Sequence, residues 1–182
     1  MTNINPVQRG RCHKFGHDMY TDVQVMPYKY GALYPFDTEK LMPHLFEEVV
    51  PEFHKKTQPG DFVVAGRNFA QGKSHIQGFL VMAALKLNLL CESMPYKSYR
   101  AVISRGIAVH RRCEGITNLV NDGDTIEMDF STGRFLNVTT GATAQYAPVQ
   151  KDLLETMLLG GTGPMLERWR DAHYKDTVPG SA

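Results

Sequence analysis

The sequence has no apolar run long enough to cross a bilayer: its longest, such as Phe79 to Leu85, fall far short of the roughly 20 residues required. Its polar start, MTNINPVQRGR, lacks the apolar segment of a signal peptide, so a cytoplasmic protein is expected, with no membrane partner. Cysteine is scarce. Cys12, Cys91 and Cys113 are odd in number and have no CxxC spacing, which argues against a disulfide framework and against an all-cysteine metal site within the chain. Charge of one sign is also lacking: 20 Lys and Arg against 19 Asp and Glu leave +1, with no basic footprint for nucleic acid. No repeat or low-complexity segment occurs. The histidines, His13, His17 and His110 among them, show no paired metal-ligand spacing.

What is present suits a globular domain: 182 residues with 42% hydrophobic and 21% charged side chains. One domain is expected over residues 1–182, with its core at about 9–166 and a flexible tail at 170–182. GRCHKFG and DVQVM have strand character, residues 26–40 read as a long surface loop, and residues 41–56 place Leu41, Leu45, Phe46 and Val49 at helical spacing. DFVVAG then reads as a buried strand, HIQGFLVMAALKL as a helix and NLLCES as a second strand, a βαβ unit. YKSYRAVISRG and IAVHRRC extend the alternation, which implies parallel strands with helices packed on the sheet. After Asn121, DGDTIEMDF and RFLNVTTG alternate around Ser131-Thr132-Gly133 and predict a hairpin. The end reads as a helix from about Pro148 to Leu159, a Gly-rich break and a short helix through Trp169, with DTVPGSA frayed.

The segment GRNFAQGKS ends like a phosphate-binding loop, but that motif places four residues between its first glycine and Gly-Lys-Ser, and Gly66 and Gly72 enclose five. A weaker reading survives, in which Gly72, Lys73 and Ser74 open a helix and offer unpaired N–H groups to a carboxylate. Ser74 serves equally well as an ordinary helix cap, and Lys73 as a solvated cation.

Three blocks carry a resemblance. PGDFVVAGRNFAQGKSH is similar to P-G-D-hydrophobic-hydrophobic-V-A-G-[KR]-N-F-G-C-G-S-S-R. KFGHDMYTDVQVMPYKY is similar to K-F-G-D-N-I-D-T-D-x-I-I-P-x-R-Y, and DGDTIEMDFSTGRFLNVTTG to D-G-D-E-I-E-V-D-x-x-x-G-x-I-x-N-x-T-T-G. Their order from about Arg9 to Leu166 resembles the small subunit of 3-isopropylmalate dehydratase, the swivelling domain of the aconitase superfamily. The resemblance implies an α/β fold of the swivelling β/β/α type. It also implies a large subunit as partner, in a heterodimer or heterotetramer, whose cysteines hold a [4Fe–4S] cluster. This chain would bind no cofactor and no metal of its own, and its substrate would be a small carboxylic acid.

The same resemblance puts Lys73 where the family's catalytic serine stands and His75 where a carboxylate-clamping arginine stands, while Gln71 replaces a cysteine and Ile76-Gln77 a Glu-His pair. A histidine offers at most two donors pointing apart, unlike an arginine fork, so the substrate or the reaction must differ. Lys73 and Ser74 are the catalytic candidates with Asp22; His75, Thr21, Gly72, Tyr30 and Gly31 are the substrate-binding ones. Either Lys73 takes the proton, or Lys73 holds a carboxylate while His75 takes it. Thr21-Asp22 matches the family's Thr-Asp pair, although Asp22 could instead cap a turn. Tyr30 to Leu33, with Tyr34 and Phe36, correspond to the loop that selects substrate. Two rival classes remain: a cluster-independent isomerase or decarboxylase using Lys73 and His75, and a non-catalytic binding or assembly module. A homodimer is also compatible with the sequence.

Overall fold

A computed structural model describes residues 5–73 and 75–174. Seven strands form one sheet in the order β4-β3-β2-β1-β5-β6-β7. These are β1 (Val7–Lys14), β2 (Phe62–Ala65), β3 (Asn88–Cys91), β4 (Val109–His110), β5 (Thr125–Asp129), β6 (Arg134–Asn137) and β7 (Thr143–Gln145). The helices are α1 (Tyr28–Leu33), α2 (Thr38–Leu41), α3 (Gln77–Ala84), α4 (Tyr96–Ser104), α5 (Lys151–Leu158) and α6 (Thr162–Tyr174).

Strand β1 joins two halves. Its last residues, Cys12 to Lys14, pair in parallel with β2, and its first, Val7 to Arg11, pair antiparallel with β5. From β2 the parallel half continues to β3 and β4 through the crossover helices α3 and α4, and from β5 the other half is an antiparallel meander. A βαβ crossover requires both sheet faces to be covered, and β2 and β3 are buried at every position. Alternation sorts the side chains: Val63, Ala65, Leu89, Cys91 and Val109 enter one apolar cluster, and Phe62, Val64, Leu90 and Ala108 the other. Gly10 lets β1 pass against the backbone of Gly60, where any Cβ would collide with the Gly60 carbonyl. The Asp61 carboxylate locks that crossing by accepting from the N–H groups of Arg11 (3.1 Å) and Gln58 (2.9 Å), with His13 Nε2 at 3.0 Å.

Several sequence expectations need correction. DVQVM is not a strand but a turn of π-helix, Thr21–Val25, in which Tyr20 O accepts from both Gln24 N and Val25 N at 3.1 Å. Thr21 and Val25 are buried and Val23 is 51% exposed, the pattern of a helical turn rather than of alternation. The stretch 26–40, expected as loop, holds α1 and α2, the latter capped by the Asp37 side chain accepting from Lys40 N. Residues 41–56 do not form one helix. Pro43 and Pro51 disfavour helix in the residues before them, and Phe46 (φ +57°) and Glu52 (φ +56°) are left-handed, leaving 3₁₀ turns at Met42–His44 and Phe53–Lys55. Leu41, Leu45 and Phe46 are core as expected, whereas Val49 is 46% exposed.

The IAVHRRC strand pairs only at Val109 and His110. The hairpin forms as read, with Asp129 opposite Arg134, and its turn is tied by the Asp129 carboxylate accepting from Ser131 N. Helix α6 runs past Trp169 to Tyr174, so residues 170–174 of the expected tail are helical; residues 175–182 lie outside the described residues. No helix among the described residues is long and apolar enough to cross a membrane.

Candidate active site

The turns that follow the C-terminal ends of β1 and β2 are laced together. Asp18 N donates to Arg67 O (2.8 Å), Gln71 N to Met19 O (3.0 Å) and Thr21 N to Gln71 O (2.8 Å). Arg67 N donates to His17 Nδ1 at 2.9 Å, and Asn68 Nδ2 to Asp18 Oδ1 at 2.7 Å. Between these ties the loop after β2 alternates through left-handed residues: Asn68 (φ +56°), Ala70 (φ +59°) and Gly72 (φ +86°). Non-glycine residues held there cost on the order of 1–3 kcal/mol each, so the surrounding bonds must impose the shape. Ser98 Oγ on α4 supplies one, donating to Ala70 O at 2.6 Å.

This lacing brings Gly72 onto Thr21-Asp22. A Cβ on Gly72 would lie 2.8 Å from the Tyr20 ring and 3.2 Å from Asp22 Oδ1, so only glycine fits both the dihedral and the space. Lys73 follows, exposed, with Nζ 4.1 Å from the centre of the Tyr28 ring, a cation–π contact. The His75 ring meets the same tyrosine edge-on at 6.0 Å. Its Nδ1 lies 2.9 Å from Gln77 Oε1, and Gln77 Nε2 donates to Pro35 O at 3.0 Å. The Gln77 side chain also touches Gly31, where a Cβ would sit 3.4 Å away.

Two buried polar atoms here, Thr21 Oγ1 and His75 Nε2, have no hydrogen-bond partner among the described residues. Leaving a buried polar atom unpaired costs about 1–3 kcal/mol, and in a native structure such atoms point to a missing partner.

Gly72 is therefore packed against Asp22, Lys73 and His75 share Tyr28, and Gly31 adjoins Gln77 beside His75. Tyr30 does not join them: it stacks on His44, ring centres 3.4 Å apart, and its neighbour Tyr28 takes the place beside Lys73 and His75. Ser74 lies outside the described residues. The expected helix-start anion site is not formed by Gly72 and Lys73, because α3 begins at Gln77 behind Ile76 and both residues sit in the preceding loop. Tyr28 and Gln77 are the participants the sequence reading overlooked; PYKY carries two tyrosines and nothing in it ranks Tyr28 over Tyr30.

The face is open. Tyr20, Val23, Tyr28, Leu33 and Phe36, all within sixteen residues of one another, are between 46% and 72% exposed. A cleft of about 260 Å³ lies between Arg111, Arg112 and the start of α5, and its lining contains none of the residues above.

The cysteines are fully buried in the two apolar clusters. Burial, followed by the nearby carboxylates of Asp122 and Asp124, pushes the Cys12 thiol up to about 12, and burial likewise raises Cys91 and Cys113. All three lie inside apolar clusters and none on the loop around Gly72, so they do not present thiolates to a cluster there.

Comparison with known proteins decides the family. The chain is 36% identical over 153 residues to 3-isopropylmalate dehydratase small subunit 1 of Archaeoglobus fulgidus, covering 84% of this chain and 92% of that one. It is 32% identical over 166 residues to the isopropylmalate/citramalate isomerase small subunit of Methanocaldococcus jannaschii, covering 91% and 96%. The chain belongs to the 3-isopropylmalate dehydratase small-subunit family. The crystal structure of a 3-isopropylmalate dehydratase from Methanocaldococcus jannaschii superposes with a TM-score of 0.79 at 27% identity, over 93% of this chain and 98% of that chain. That match establishes the mixed α/β fold with its curled sheet, as the three sequence blocks implied. No protein-family model matches the chain.

Proposed function

We propose that the chain is the small subunit of a cytoplasmic aconitase-superfamily hydro-lyase, a single swivelling domain that acts on a carboxylated hydroxy acid together with a cluster-bearing large subunit. The carrying observation is Gly72 packed against Asp22, with Lys73 and His75 both set against Tyr28, and with buried polar atoms on Thr21 and His75 left without partners among the described residues. In such a reaction a proton leaves the carbon beside a carboxylate, the C–H electrons form the double bond, the C–O bond breaks, and the departing hydroxyl takes a proton from a general acid of the complex to leave as water. A [4Fe–4S] cluster held by the large subunit would supply the Lewis acid for that hydroxyl. This chain supplies the rest: a cation for a substrate carboxylate, a proton acceptor, and hydrogen-bonding groups at Thr21 and Asp22.

The open face supports the same reading. A binding site with one wall needs a second, and the exposed Tyr28 beside Lys73 and Tyr20 beside Gly72, with exposed Val23, Leu33 and Phe36 on the same stretch of chain, offer apolar surface suited to docking the large subunit. Replacement of the family's arginine and serine by His75 and Lys73 supports a substrate or reaction differing from that of the relatives. Anaerobic affinity capture of the tagged chain from its native host is the test. Recovery of an iron-containing large subunit, and turnover of a malate- or citrate-like acid by the pair, is expected. Recovery of an iron-free homodimer, or turnover by this chain alone, would overturn the reading in favour of a repurposed or cluster-independent protein.

A further inference from the structure

The contacts of His75 carry a polarity that the two candidate bases leave unused. Pro35 O is a carbonyl and can only accept, so the Gln77 amide must present its NH₂ to it, and it does at 3.0 Å. The other end of that amide, Oε1, therefore faces His75 Nδ1 at 2.9 Å, and an amide oxygen can only accept. Nδ1 must carry the hydrogen. In the neutral ring the lone pair then lies on Nε2, the atom that is buried and has no partner among the described residues. Gly31 adjoins the relay: a Cβ there would meet Gln77 Cγ, Cδ and Oε1 at 3.4 Å.

The geometry points to Gln77 as a positioning residue that fixes the Nδ1–H tautomer of His75 and so makes His75 Nε2 the proton acceptor of the reaction. The assignment rests on the hydro-lyase reading and deepens it. His75 Nε2 takes the proton from the carbon beside the substrate carboxylate and becomes an imidazolium, whose Nδ1–H remains bonded to Gln77. Lys73 is left as the cation that holds a carboxylate, its ammonium fixed over Tyr28.

The tautomer can be read on the isolated chain, without any large subunit. Two-bond ¹H–¹⁵N correlation of the ¹⁵N-histidine-labelled protein at about pH 8.5, above the ordinary imidazole range, distinguishes the two neutral forms. His75 is expected as Nδ1–H. His17, whose Nδ1 accepts from Arg67 N, and His110, whose Nε2 donates to Ala147 O, are expected as Nε2–H and serve as internal controls. Gln77→Ala should return His75 to the Nε2–H form, and Gln77→Glu, which gives up the donation to Pro35 O but keeps an acceptor for Nδ1, should preserve Nδ1–H. In the assembled complex Gln77→Ala should lower kcat on the order of 10²-fold with little change in KM, and Gln77→Glu should recover most of it. An Nε2–H His75 in the wild-type chain, or a tautomer indifferent to Gln77→Ala, would overturn the assignment. A complex that turns over no hydroxy acid, with the tautomer as stated, would instead remove the hydro-lyase reading and leave the relay standing.

Discussion

Replacing Thr21 by valine separates stability from function at this site. Thr21 is fully buried and its hydroxyl has no partner among the described residues, so folding strips water from Oγ1 without replacing the lost hydrogen bonds. That penalty is about 1–3 kcal/mol, and a methyl group of nearly the same shape removes it. For a chain of this size 1 kcal/mol moves Tm by about 2–4 °C, so Thr21→Val is expected to raise Tm by about 2–12 °C. If Oγ1 serves substrate, the same change removes one hydrogen bond to a charged ligand, about 1.5–3 kcal/mol, and kcat/KM should fall by about tenfold to a hundredfold. Thr21→Ser makes the opposite trade: it keeps the hydroxyl and turnover but loses a buried methyl and therefore stability. Differential scanning calorimetry of the chain and steady-state assay of the complex read the two effects. A Tm lowered by Thr21→Val would refute the reasoning, because it would mean the hydroxyl is satisfied in the folded chain.

Two further outcomes follow from the same structure. Gly72→Ala forces a side chain into a left-handed position against Tyr20 and Asp22, which should cost about 1–2 kcal/mol in Tm measurements and abolish most turnover by moving Lys73. His110 has a pKa lowered below its ordinary 6.5 by burial and then, against the opposing pull of Ala147 O, by the Arg112 charge. Its contribution to stability is therefore complete above about pH 6.5 and is lost as pH falls through the folded-state value, so wild-type Tm should drop on acidification more steeply than that of His110→Gln.

The parallel half of the fold was legible because β2 and β3 are buried on both faces and so appear as unbroken apolar runs, with a helix-length segment between them. The hairpin was legible because one face of β5 is buried and the other is not, giving Ile126 and Met128 inside against Thr125, Glu127 and Asp129. DVQVM, residues 22–26, fits a strand because Val23 and Val25 alternate with Asp22 and Gln24; the exposure of Val23 opposite buried Val25 is what distinguishes the helical turn. The stretch 41–56 misled because its apolar spacing was weighed above Pro43 and Pro51, and left-handed Phe46 leaves no trace in composition. Strand β7 has only three residues, none fully buried, and no pattern to read.

The site was legible as a set of positions but not as a set of contacts. Thr21, Asp22, Gly72, Lys73 and His75 could be proposed by matching blocks, and in the structure Gly72 packs on Asp22 while Lys73 and His75 share Tyr28. Which tyrosine meets Lys73 depends on how α1 lies, and the role of Gln77 depends on Pro35 O being 42 residues earlier in the chain yet within hydrogen-bond reach. Neither follows from spacing.

The central claim, an active small subunit whose chemistry runs through a remodelled loop, is tested most directly by turnover of the anaerobically assembled complex on a panel of carboxylated hydroxy acids, with wild type compared against Lys73→Ala and His75→Ala. The account predicts turnover of at least one acid by the wild-type complex, and a loss in kcat/KM on the order of 10² or more for each variant with assembly intact. Turnover unchanged by both substitutions would contradict it.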